Sequence, residues 1–178
     1  RAQAEKICAL YDMALKNGAP IIGVFSSAGV RVNEGSEVLS AYGKLLSKIN
    51  AASGVIPQIA FVTGKCIGTA ATIAAMFDIV VKNEKADLYV SSPALTGNDN
   101  AQDAIAAFTA SLDQCALYIK SIIAFLPSNS SVGIQTSDVC IDNLNRKLGN
   151  IDFAGDALAL ISVICDNGMY YELGHDYA

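Results

Sequence analysis

Charge is scarce in this chain. Only 16% of its 178 residues are Asp, Glu, Lys or Arg, against 52% that are hydrophobic, which is more apolar than a soluble domain of this size usually is. The excess points to surface hidden in an oligomer. The net charge is -5 and the twelve basic residues are scattered, with Lys44, Lys48, Lys82 and Lys85 the nearest thing to a cluster. The basic stripe that would engage nucleic acid is therefore missing. Long apolar runs are missing too, because Asp, Lys, Asn and Gly interrupt every candidate, and there is no signal-peptide pattern. The expectation is a cytoplasmic protein without a membrane span. The five cysteines, Cys8, Cys66, Cys115, Cys140 and Cys165, include no C-x-x-C pair, and the single histidine, His175, is far in sequence from most of them. That pattern speaks against zinc and for reduced, buried thiols, so no metal is expected. Solenoid repeats and low-complexity tracts are absent.

What is present alternates between helix and strand. The length suits one domain, so residues 1–178 are read as a single domain, with 128–150 a surface loop or linker. Ile7, Leu10, Tyr11 and Ala14 recur at helical spacing from Ala4 to Lys16, and Asn17-Gly18 stops them. The apolar run Pro20 to Phe25 has strand length. Glu37 to Ala52 is helical again, closed by Ser53-Gly54, and Pro57 introduces a strand from Gln58 to Thr63. A helix is expected over Ile67 to Met76, then strands at Asp78 to Lys82 and Leu88 to Val90, and a long helix within Ala101 to Phe125. A last helix at Gly155 to Cys165 leads to a short strand at Met169 to Leu173. Strands alternating with helices indicate an α/β fold with largely parallel, buried strands, whose function lies at the strand-to-helix loops.

Two of those loops stand out. Ile21 to Gly35 and Gln58 to Ala71 each run from a strand into a loop of small residues that opens a helix. Small residues let a ligand approach the backbone, and the helix start offers unpaired N–H groups to negative charge. Side by side, two such turns can build an oxyanion hole.

These residues also resemble a known family. Arg31 with Glu34-Gly35, then Ala52-Ser53-Gly54-Val55-Ile56-Pro57-Gln58-Ile59, then Gly64-Lys65-Cys66-Ile67-Gly68-Thr69-Ala70 are similar to the N-terminal half of the carboxyltransferase subunits of biotin-dependent acyl-CoA carboxylases and decarboxylases. Phe125-Leu126-Pro127-Ser128-Asn129 and Tyr170-Tyr171-Glu172-Leu173-Gly174-His175-Asp176-Tyr177-Ala178 resemble later motifs of the same family, in the same order. The resemblance implies a crotonase-like fold of repeated β-β-α units that binds an acyl-CoA thioester and stabilises its enolate during carboxyl transfer or decarboxylation. It further implies biotin carried by a partner protein, a homo-oligomer, and a partner chain supplying the biotin-facing half. Carried over residue by residue, it puts the backbone amides of Gly29, Val30, Gly68 and Thr69 in the catalytic role and Ala28, Arg31 and Lys65 beside the acyl-CoA. The chain begins at Arg1 rather than Met and stops where the family's second half would begin, so a processed, excised or relic piece is expected.

Several positions depart from the family pattern. Ala28, Val30 and Thr69 stand where the family has Gly, Ala and Gly, Ser26 replaces an Asp, and Lys65 replaces a Pro. The segment from Pro93 to Phe125 is shorter than the family's. A second reading therefore stands beside the first: a catalytically degenerate assembly subunit of such a complex. Other residues have plainer roles. Arg31 and Glu34 suit a local ion pair, Cys66 suits packing more than nucleophilic attack because no base is adjacent in sequence, and Asp78 suits a strand end.

Overall fold

The computed structural model describes residues 2–29, 33, 35–91, 94, 105–132, 140–143, 145 and 157–173. The chain divides into two compact units, one of Arg1–Gly133 with Leu173–Ala178 and the other of Ile134–Glu172.

The first unit is built on a parallel sheet. Helix α1 (Ala2–Asn17) and strand β1 (Ile21–Ser27) are followed by α2 (Ser36–Ala52), β2 (Gln58–Ile67), α3 (Thr69–Ala75), β3 (Ile79–Asn83), β4 (Leu88–Tyr89), β5 (Phe108–Ala110) and α4 (Leu112–Phe125). The strand order is β1-β2-β3-β5, with β4 pairing the far end of β2, and every pairing is parallel. Alternation along the strands sends side chains to opposite faces. One face, with Ala60, Val62, Val80 and Phe25, packs against α1, α2 and α3 through Tyr11, Ile49, Ala52, Ala71, Ile73 and Ala74. The other face, with Ile59, Phe61, Ile79 and Val81, packs against α4 through Cys115, Ile119 and Ile122. Each isoleucine so buried contributes roughly 1.5–3 kcal/mol.

A buried polar network fixes the helices to the start of β2. Gln58 is fully buried; its Oε1 accepts the Tyr11 hydroxyl at 2.9 Å and its Nε2 donates to the Ile49 carbonyl at 3.2 Å. The Gln58 N–H donates to Asp78 Oδ2 at 2.8 Å while the Asp78 N–H returns to the Gln58 carbonyl at 3.0 Å. Asp78 thus holds a strand end, as its place in the sequence implies. Burial, with the Asp78 charge nearby, pushes the Tyr11 hydroxyl up to about 12. An ion pair between Asp12 and Lys48 ties α1 to α2 at the surface, where it adds little.

Three expected elements differ. The long helix within Ala101–Phe125 begins only at Leu112, since Phe108–Ala110 pairs with β3 as a strand. Ser111 then caps α4, with Gln114 Oε1 accepting its N–H at 3.4 Å and its hydroxyl at 3.0 Å. Phe108 stacks on Tyr118 with ring centroids 4.1 Å apart. Strand β2 runs past Thr63 to Ile67, so the next helix starts at Thr69 rather than Ile67. Residues 169–173 form no strand. In the second unit, α5 (Ala157–Ile164) leads into a single 3₁₀ turn, Asp166–Gly168.

Candidate active site

The two small-residue loops leave adjacent strands at the same end of the sheet. Ile21 to Phe25 of β1 pair in step with Gln58 to Val62 of β2, and the next partners are Ser27 and Cys66. Over that interval β1 advances two residues while β2 advances four, so β2 bulges at residues 63–65. The bulge packs on β1: the Thr63 hydroxyl donates to the Phe25 carbonyl at 3.3 Å, and a Cβ on Gly64 would sit 2.7 Å from Ser26 Oγ. Once the register is recovered at Ser27 and Cys66, Ala28-Gly29 and Gly68-Thr69 follow directly.

Both turns require glycine for backbone reasons. Gly29 has φ +120° and Gly68 has φ +64°, and among the described residues an added Cβ at either would meet no atom within 4 Å. Among the described residues conformation, not crowding, selects glycine there.

The amides are held differently. The Gly29 N–H donates to Ser27 Oγ at 3.3 Å, an exposed bond. The Gly68 N–H donates to the Tyr89 carbonyl of β4 at 2.8 Å, beside a Cys66 N–H bond to the Asp87 carbonyl at 2.7 Å. Thr69 opens α3, where the Gly68 carbonyl takes the Thr72 N–H at 3.0 Å and the Thr72 hydroxyl at 3.2 Å. Its own N–H has no partner among the described residues, as expected of a first-turn amide.

Ala28 is exposed at the end of β1, and Lys65 is exposed on the β2 bulge with no ion pair among the described residues. Val30, Arg31 and Glu34 lie outside the described residues. Cys66 is fully buried, and desolvation pushes its thiol up to about 11. It stays protonated at neutral pH, which removes it as a nucleophile. Among the described residues no group of three His, Cys, Asp or Glu is placed to hold a metal ion, and no helix is long and apolar enough to cross a membrane. Two partners escaped the sequence reading. Ser27, two residues before Gly29, is visible in retrospect as a Ser-Ala-Gly turn, whereas Tyr89 left no local signal because it reaches Gly68 through sheet pairing.

The model of the carboxyl transferase domain matches residues 1–178. The chain belongs to this family. A methylmalonyl-CoA decarboxylase alpha subunit from Veillonella parvula is 33% identical over 98% of the chain, which covers 39% of that relative. The 12S subunit of methylmalonyl-CoA carboxyltransferase from Propionibacterium freudenreichii subsp. shermanii is 29% identical over 99% of the chain and 38% of the relative. A crystal structure of transcarboxylase 12S with methylmalonyl-coenzyme A and methylmalonic acid bound superposes with a TM-score of 0.80 at 29% identity, over 99% of this chain and 39% of that one. A Pseudomonas malonate decarboxylase hetero-dimer shares the fold at 19% identity and a TM-score of 0.60, over 71% of this chain and 65% of that one. The chain thus has the α/β, crotonase-like architecture of the carboxyl transferase family and spans about two-fifths of the length of the curated relatives.

Proposed function

We propose that this carboxyl transferase domain binds an acyl-CoA thioester at the β1 and β2 loops and stabilises its enolate for carboxyl transfer or decarboxylation. The observation that carries the proposal is the register that brings Gly29 and Gly68-Thr69 out of neighbouring strands at one end of the sheet. An enolate oxygen placed between the loops would accept the Gly29 N–H, replacing the long bond to Ser27 Oγ with a charge-assisted one. The Thr69 N–H is the matching donor from the second loop. Gly68, with its own amide on Tyr89, supplies the turn that aims Thr69, and Val30 adds a neighbouring amide on the first loop. Fixed donors at a developing oxyanion are typically worth about 3–4 kcal/mol each. Ala28, Arg31 and Lys65 border the thioester, Lys65 as a point charge suited to a CoA phosphate. Biotin on a partner protein would supply or receive the carboxyl group. Residues 1–178 act as one carboxyltransferase-like domain in this scheme.

Assembly is part of the proposal. The 12S relative forms a hexamer and the malonate decarboxylase neighbour a hetero-dimer. We propose a cytoplasmic homo-oligomer with a partner chain supplying the biotin-facing half. In its support, Ile22 and Val24 on β1 are 45% and 66% exposed on the sheet face that α4 covers elsewhere.

A second reading, a degenerate assembly subunit, is favoured by the Gly68 amide being engaged and by Thr69 standing where the family has Gly. Calorimetric titration of methylmalonyl-CoA into the chain assembled with its partner separates the two. Saturable binding supports the enzyme; its absence, with assembly intact, supports the scaffold.

A further inference from the structure

The unit of residues 134–172 carries Cys140 and Cys165, both reduced and both partly accessible, whereas Cys66 and Cys115 are fully enclosed. Three hydrogen bonds clasp the segment around Cys140 to the turn that follows Cys165. The Cys140 thiol donates to Asp166 Oδ1 at 3.4 Å, the Ile141 N–H to Asn167 Oδ1 at 3.3 Å, and the Asn167 N–H to Asp142 Oδ2 at 2.6 Å. Asp166 is the chain neighbour of Cys165, so the Cys140 sulfur already rests on the residue beside the second thiol. Neighbouring Cα atoms are about 3.8 Å apart, and a disulfide needs its Cα atoms about 4.4–6.8 Å apart. A slip of about one residue along the clasp is the scale of motion that converts one contact into the other. All three bonds use a side chain and are exposed, so the slip breaks no sheet ladder.

We propose that Cys140 and Cys165 are an oxidisable pair that closes into an intramolecular disulfide when hydrogen peroxide reaches this unit. One thiolate attacks a peroxide oxygen, the O–O bond breaks, and a sulfenic acid forms with release of water. The second thiolate then attacks that sulfur, forming the S–S bond and expelling a second water. The two thiols together give up two electrons and two protons, which the peroxide takes up. Closure ties residues 140 to 165 into a covalent loop and costs Asp166 its thiol donor.

A peptide map of the whole chain tests this directly. The protein is treated with hydrogen peroxide, blocked with N-ethylmaleimide and digested with trypsin without reductant. Cleavage after Lys120, Arg146 and Lys147 places Cys140 and Cys165 on separate peptides with no other cysteine. A cross-linked pair of these peptides, recovered from the monomer band and lost in both Cys140→Ser and Cys165→Ser, is the expected result. Recovery of each cysteine singly blocked or singly oxidised would overturn the proposal, as would a cross-link to Cys8 or between two chains. The wild-type map does not depend on any variant folding.

Discussion

The β1 and β2 loops occupy equivalent places at the end of adjacent strands, yet their leading amides are held by different means. Gly29 is held by one exposed side-chain hydroxyl at 3.3 Å, while Gly68 is held by the Tyr89 carbonyl at 2.8 Å in a strand anchored by the fully buried Leu88. A side-chain bond of that length yields to a better acceptor. A sheet bond beside a buried leucine does not. The first loop is therefore the adaptable donor, and the second is a fixed turn whose usable amide is one residue further on, at Thr69.

Substitutions can break this contrast in order of size. Leu88→Ala should cost about 2–5 kcal/mol in urea unfolding, and in the surviving native state it should speed amide exchange at Gly68 far more than at Gly29. Gly64→Ala, which drives a Cβ to 2.7 Å from Ser26 Oγ, should cost about 1–3 kcal/mol. Adding Ser26→Ala leaves only the 3.4 Å contact to the Ser26 Cβ, so the double variant should recover much of that loss and show coupling in a double-mutant cycle.

Alkaline pH acts on the second loop through Cys66. Its thiol rises from 9.0 to about 11 on folding, so between those values the native state holds a proton that the unfolded chain releases. The associated stability is complete below pH 9 and is lost as pH climbs towards 11. Discounted for screening, the loss is roughly 1–2 kcal/mol. Urea midpoints measured across that range should fall in the wild type and fall less steeply in Cys66→Ala, where the raised Tyr11 hydroxyl still titrates. The smallest change is expected for Ser27→Ala. It should cost under about 1 kcal/mol of stability while leaving acyl-CoA affinity equal or higher, because the Gly29 amide is released.

The sequence discloses the sheet frame and the family through local signals. Pro57-Gln58 marks the start of β2, the spacing of Val38, Tyr42, Leu45 and Ile49 marks α2, and the loop motifs carry the resemblance that the domain match bears out. What stayed hidden is long-range. Strand β5 is three residues long inside a stretch with helical periodicity, and only pairing with Val81, Lys82 and Asn83 makes it a strand. Gly64 reads as the end of β2 because a bulge resembles a loop until its partner strand is seen. The engagement of Gly68 depends on Tyr89, twenty-one residues away, which no local pattern reveals.

The most direct test is to follow the backbone amide resonances of Gly29, Gly68 and Thr69 while an acyl-CoA is titrated into the assembled protein. Saturable shifts at Gly29 and Thr69, with Gly68 nearly unmoved on Tyr89, are predicted. Saturable binding that leaves Gly29 and Thr69 unshifted, or no binding by the intact assembly, would contradict an oxyanion site at these loops.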